Sequence, residues 1–138
     1  MSKDMLHSVH SYIKDVRVIL LDKIHPYRYR DDELLTAFNT SLLEGRRLRP
    51  DLFVYKHGNR VPHFEAVDGE EVPIEPQFRL AFVYGTAAMA LIRDEEDVQD
   101  ARAASFRAVF ESILTGLNMP RIQGGTPGKA VAAPPPGQ

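Results

Sequence analysis

Apolar residues recur along this chain in four stripes at helical spacing, separated by proline-rich and acidic breaks. The first stripe is Met5, Val9, Ile13, Val16, Leu20 and Ile24, with steps of four, four, three, four and four. It is broadened by Leu6, Ile19 and Leu21, and it predicts a helix over Lys3–Ile24. Pro26 stops that helix, with His25 as the boundary residue. The second stripe lies within Tyr27–Phe53 and has the clearest start and stop signals. Asp31 is the expected N-cap, and Asp32 and Glu33 place acid in the first turn. Leu34, Leu35, Phe38 and Leu42 make the apolar face, and Thr36, Asn39, Thr40 and Glu44 make the polar ones. Arg46, Arg47 and Arg49 complement the negative end of the helix. Gly45 reads as a residue available for a left-handed cap. Pro50 disfavours helix at Arg49 and turns the chain out toward Leu52 and Phe53.

The stretch 50–76 has no helical period. Leu52–Tyr55, Phe64–Val67 and Val72–Ile74 are short strand candidates, the last two flanking Asp68-Gly69-Glu70 as a hairpin turn. Pro62 and Pro73 confine them to edges or extended chain. A projecting, partly β arm is the expectation. The third helix starts near Pro76, with Phe78, Phe82, Gly85, Met89 and Ile92 as its stripe. Ala81, Gly85 and Ala88 form a small-residue strip that admits a close neighbour, and this mostly apolar helix is the expected buried centre. Asp94-Glu95-Glu96-Asp97 then begins the fourth helix, Val98–Leu117, whose stripe is Val98, Phe106, Val109, Phe110, Ile113 and Leu117. Gly116 and Pro120 end it. The fold class is therefore mainly all-α. A four-helix domain spans residues 1–117 with its arm at 50–76, and a Pro/Gly/Ala-rich extended tail follows at 118–138.

Composition narrows the function more than it identifies one. The 138 residues carry a formal net charge of −2, so the molecule is no polycation. There is no cysteine, which removes disulfides and thiolate chemistry. The start of the chain lacks a signal-peptide core, and the longest apolar run, Leu80–Ile92, is too short for a bilayer. No membrane partner is expected. No nucleophile elbow, phosphate loop, dinucleotide fingerprint or zinc signature is present, so no enzyme and no cofactor are expected. His7 and His10 stand one turn apart, but nothing suggests a third metal ligand. Glu65, Asp68, Glu70, Glu71 and Glu75 make the arm acidic, and a solvated loop explains them better than paired catalytic carboxylates.

Arginines cluster at both ends of the second helix: Arg28 and Arg30 before it, Arg46, Arg47 and Arg49 after it. Such a separation makes a poor single DNA groove reader. Arginine also forms forked pairs with carboxylates, so pairing across subunits, with Glu70 and Glu71 as acidic partners, is the preferred reading.

The order of these pieces resembles the head-to-tail adaptor proteins, also called neck or connector proteins, of tailed bacteriophages. The matching residues are Arg30, Asp31, Glu33, Leu34, Leu35 and Asn39, then Arg49-Pro50-Asp51-Leu52-Phe53. A small-residue third helix and an acidic junction before an Ala- and Phe-containing fourth helix follow, so the resemblance covers roughly residues 5–117. It implies a virion protein made in the host cytoplasm. Such a protein forms a ring, commonly of twelve copies, between the portal protein and the next tail or neck protein. The ring extends the channel through which packaged DNA passes. It further implies a portal-docking tail, here Met119, Pro120, Arg121, Ile122, Lys129 and Val131. No catalytic residue is carried over. The competing reading is a small helical interaction or regulatory protein of a bacterium, with DNA association as its variant.

Overall fold

The computed structural model describes residues 7–53, 60–93 and 100–116. Among these residues the chain is mainly helical and contains no strand. The helices are α1 (Val9–Leu20), α2 (Asp31–Leu48), α3 (Arg79–Arg93) and α4 (Asp100–Gly116), and a 3-10 turn over Pro76–Phe78 leads into α3.

α1 is shorter than its apolar pattern predicts. Ser8 caps its start, its Oγ accepting from the Ser11 N–H at 3.1 Å. The chain leaves the helix at Leu21, which adopts a left-handed φ of 61°. The Asp22 N–H then closes the last turn on the Arg17 carbonyl at 2.8 Å. Ile24, expected in the stripe, is instead 81% exposed. Residues 3–6 of the expected helix lie outside the described residues.

The boundaries of α2 fall close to expectation, with one difference at its start. Arg30 is the N-cap and Asp31 the first helical residue. The Arg30 side chain has no oxygen to offer, so the exchange is one-sided: Glu33 Oε1 accepts from the Arg30 N–H at 2.8 Å. Leu34, Leu35, Ala37, Phe38 and Leu42 are buried. Arg49 ends the helix in extended geometry, as Pro50 requires. Gly45 is not a cap. It sits inside α2, where a Cβ would lie 2.5 Å from Phe82 Cε1.

α3 is the centre and packs against the other three helices. Phe82, Ala87, Ala88 and Leu91 are fully or almost fully buried. α2 runs antiparallel to it, with the Ser41 and Thr86 hydroxyls 3.1 Å apart in the dry interface. α4 also runs antiparallel, and its Phe110 meets Phe82 edge-on at 5.7 Å. A Cβ on Gly85 would lie 2.5 Å from Phe110 Cδ1, so the small-residue strip does admit a close neighbour. Two stripe assignments change. Leu114 is fully buried on α4, and Ile92 on α3 is 57% exposed. The acidic junction, residues 94–97, and Val98 and Leu117 lie outside the described residues.

The stretch 60–75 does not project. Phe64, Val72 and Ile74 are buried in the core, so it is a strap laid across the bundle. Asn39 of α2 pins it as a strand would, donating to the Phe64 carbonyl at 2.9 Å and accepting from the Phe64 N–H at 3.0 Å. Farther on, the carbonyls of Glu70 and Asp68 accept from the Val9 and His10 N–H groups at 3.0 and 2.9 Å. These are the donors that the first turn of α1 cannot satisfy internally. The Val72 N–H donates to the His7 carbonyl at 2.8 Å, and Ser8 and Glu71 form an isolated antiparallel bridge. The strap spends its hydrogen bonds on helix ends and on Asn39, so the expected strand pairing of 64–67 with 72–74 does not occur. Residues 54–59, including Val54 and Tyr55 of the first strand candidate, lie outside the described residues.

Replacing Gly85 by alanine forces Phe110 to move. Gly85→Ala is expected to lower stability by about 1–3 kcal/mol, as overpacking does. Urea unfolding followed by circular dichroism checks this, and Phe110→Leu in the same chain is expected to recover part of the loss.

Candidate interaction surface

The arginine clusters at the two ends of α2 are held by two separate ion networks. At the first end the organising residue is Arg17, which the apolar pattern hides. It lies on the core face of α1 beside Val16 and Leu20 and is 6% exposed. Its Nη1 donates to Asp22 Oδ2 at 2.9 Å and to the Tyr29 carbonyl at 2.8 Å. Its Nη2 donates to Asp31 Oδ1 at 2.7 Å, and its guanidinium lies 3.8 Å from the Tyr27 ring centroid. Asp22, also buried, accepts from the Arg28 N–H at 2.7 Å and the Tyr29 N–H at 3.0 Å. One buried ion pair therefore shapes the whole connection from α1 to α2. Above it that connection presents Leu21 and Ile24, 79% and 81% exposed, on a backbone with a cis His25–Pro26 bond.

Arg28 and Arg30 rise from this base. The Arg28 guanidinium is 5.7 Å from the Tyr29 ring centroid, and Arg30 Nε pairs with Asp32 Oδ1 at 3.1 Å. Both side chains are exposed.

The far end of α2, 18 residues away, carries the second network. Glu44 Oε2 accepts from Arg47 and from Arg107 Nη2, the latter at 2.7 Å, and Arg107 Nε reaches Glu111 at 2.9 Å. This ties α2 to α4. The hydrogen bond from Arg47 holds the Glu44 carboxyl below its ordinary value of 4.5; burial opposes this, and Arg107 reinforces it. Arg49 is buried, not presented. Its Nη1 donates to the Leu114 carbonyl at 3.1 Å, its Nε faces Asp51 at 3.1 Å, and it stacks over Phe78 at 4.7 Å. Arg46 is half-buried.

The structure does not bring the two arginine clusters together, and it occupies Arg30, Arg47 and Arg49 with carboxylates of their own chain. Glu70 and Glu71 are exposed on the strap beside the start of α1, where acid complements the positive helix end. Met119, Pro120, Arg121, Ile122, Lys129 and Val131 lie outside the described residues.

A third pair joins α1 to α3. Arg79 Nη2 donates to Asp15 Oδ2 at 2.7 Å and to Ser11 Oγ at 2.6 Å, with its guanidinium 4.2 Å from the Tyr12 ring centroid. Burial pushes the Tyr12 hydroxyl up to about 12 despite that neighbouring charge. Arg17, Asp22, Arg79 and Arg107 were not anticipated as organising residues. The legible signal was Arg17 standing on the face shared by Tyr12, Ile13, Val16 and Leu20.

Among the described residues no group of three or more His, Asp or Glu side chains is placed to hold a metal ion. No described helix is long and apolar enough to cross a membrane. Open clefts lie among the described residues. One, about 450 Å³, is lined by Ile92, Ala103, Ala104 and Ala108 beside the Arg107–Glu111 pair. Another, about 310 Å³, lies between α1 and α3. No family model, no curated protein and no solved structure matches this chain.

Two predictions follow from the ion networks. Arg17→Met leaves Asp22 buried without its partner and is expected to cost about 3–5 kcal/mol. Adding Asp22→Asn is expected to cost less than the sum of the two single changes, which a double-mutant cycle in urea measures. Glu44 has a depressed folded pKa, so its stabilising contribution is full above 4.5 and is lost as pH falls through the folded value. The stability difference between the native chain and Glu44→Gln should therefore shrink as unfolding is repeated at pH below 4.5.

Proposed function

We propose that this chain is the protomer of a bacteriophage head-to-tail adaptor, a ring placed between a portal and the tail. The observation that carries this reading is the order of the matching pieces: Arg30, Asp31, Glu33, Leu34, Leu35 and Asn39, then Arg49-Pro50-Asp51-Leu52-Phe53. Geometry supports it by showing what those pieces do. Arg30 to Glu33 start α2, Asn39 clamps the strap, and Arg49, Leu52 and Phe53 are buried against the bundle, Arg49 reaching the Leu114 carbonyl of α4. The ring is proposed to hold twelve copies and to pass DNA through its lumen.

In this reading the exposed loop around Leu21 and Ile24, Arg28 and Arg30 at one end, and the acidic strap with Glu70 and Glu71 are the surfaces offered to neighbours. Arg46 and Arg47 serve at the other end of α2. Arg49 works inside the protomer as the link between α2, α3 and α4. Residues 118–138 dock onto the portal. Acidic surface lets DNA slide without sticking, which suits a channel component. The alternative of a DNA-associated regulator is disfavoured by the net charge of −2 and by the carboxylates that occupy Arg30, Arg47 and Arg49.

The test is electron microscopy of the purified protein mixed with a cognate portal ring, with and without residues 118–138. A symmetric collar that forms only with the tail present is expected. A full chain that stays apart from every cognate portal would sink the adaptor reading and favour the regulatory one.

A further inference from the structure

Leu21 and Ile24 are the most exposed large apolar side chains among the described residues. The buried Arg17–Asp22 pair fixes the loop that carries them at the end of α1. Lys23 and Arg28 are exposed cations of the same loop. The opposite end of α1 carries the opposite charge. There the Val9 and His10 N–H groups donate to the Glu70 and Asp68 carbonyls, which seats a turn of the strap on the start of the helix. Residues 64–76 hold five exposed carboxylates, those of Glu65, Asp68, Glu70, Glu71 and Glu75, and no lysine or arginine. Among them Ala66 is exposed and Val67 half-buried, and a Cβ on Gly69 would meet nothing within 4 Å. The strap turn is therefore a small apolar floor with an acidic border.

We propose that this loop docks on the strap turn of a second copy of the chain. Leu21 and Ile24 cover Ala66, Val67 and Gly69, and Lys23 and Arg28 meet the carboxylates around them. The first support is complementarity, apolar knobs with cations against an apolar floor with acids. The second is distance. α1 has 12 residues, about 18 Å of helix, and the loop and the turn are tied to its two ends. A molecule therefore cannot close its loop onto its own turn. The third is what the other pairings would bring together. Two loops face to face set Lys23 and Arg28 against their own copies, and two straps set five carboxylates against five.

Different surfaces at opposite ends of one helix make a heterologous contact. Each molecule gives its loop to one neighbour and its strap to another, and the series closes as a ring or runs on as a filament. The pairing deepens the ring proposed above by naming the faces that meet, and it rests on that reading for closure. A single loop on a single turn belongs to the small, weak class of interface. Free chains therefore associate transiently, and copies gathered side by side on a portal are held together.

The chain has no cysteine, so single introduced cysteines each report one contact. Full-length Ile24→Cys and Gly69→Cys chains of different mass are mixed under mild oxidation, alone at high concentration and again on a cognate portal ring. A disulfide between the two different chains is expected, strong on the portal and fainter in free chain. It should stand well above the background of Gly69→Cys with Leu43→Cys, whose site is exposed on α2. Raised salt should weaken it. Lys23→Glu with Arg28→Glu in the Ile24→Cys chain is expected to remove it. Glu65→Lys with Glu70→Lys in the Gly69→Cys chain is expected to restore it, which a merely destabilised chain would not show. A collar whose cross-link stays at background overturns the pairing and spares the adaptor reading. Ile24→Cys joined mainly to itself also overturns the pairing. Where no collar forms, the free chain decides: a cross-link there keeps the pairing while the adaptor reading falls, and background there overturns both.

Discussion

The bundle depends on two phenylalanines seated against two glycines. Phe82 of α3 presses on Gly45 of α2, and Phe110 of α4 presses on Gly85 of α3. Each contact removes the space a Cβ would need, so helix axes approach closely at those points. The two rings also meet each other edge-on, which joins the contacts into one interlock through α2, α3 and α4. Everything else is arranged around it. The Ser41–Thr86 hydroxyl pair fills the next position along the α2–α3 seam. Arg107 and Glu44 close the α2–α4 seam at its wet edge.

α1 is attached by polar contacts as well as apolar ones. Arg79 holds it to α3 through Asp15 and Ser11, Arg17 fixes the turn that follows it, and the strap supplies acceptors for its first turn. A buried arginine–aspartate pair is costly to desolvate, and its value lies in geometry more than in net stability. Here it fixes one path for ten residues that carry little apolar burial of their own. The result is a rim that holds Leu21 and Ile24 out in water.

Much of the helix pattern was legible, for local reasons. The acids at 31–33 and the Arg49-Pro50 step act within one turn, so they mark α2 wherever it packs. The end of α1 was not legible, because the apolar spacing continues through Ile24 while the chain turns at Leu21 without a glycine. Gly45 was misread because its constraint comes from Phe82, far along the chain. The strap reads as extended from its prolines, but only its contacts with Asn39 and α1 show that it lies down on the core. For the candidate surface, the exposed arginines were visible as clusters. The pairs that hold them, Arg17 with Asp22 and Arg107 with Glu44, join residues whose proximity no local spacing encodes in full.

The strap's hold on α1 bears on the order in which the protein can be made. α1 has 12 residues, a length at which an isolated helix is marginal in water. Its amide acceptors come from residues 68–70 and its charge partner is Arg79. A nascent chain therefore exposes α1 before the strap and the start of α3, and cannot complete it until they have been synthesised. Until those residues follow it, the apolar face of α1 is a natural client for whatever protects unfinished chains in the cell.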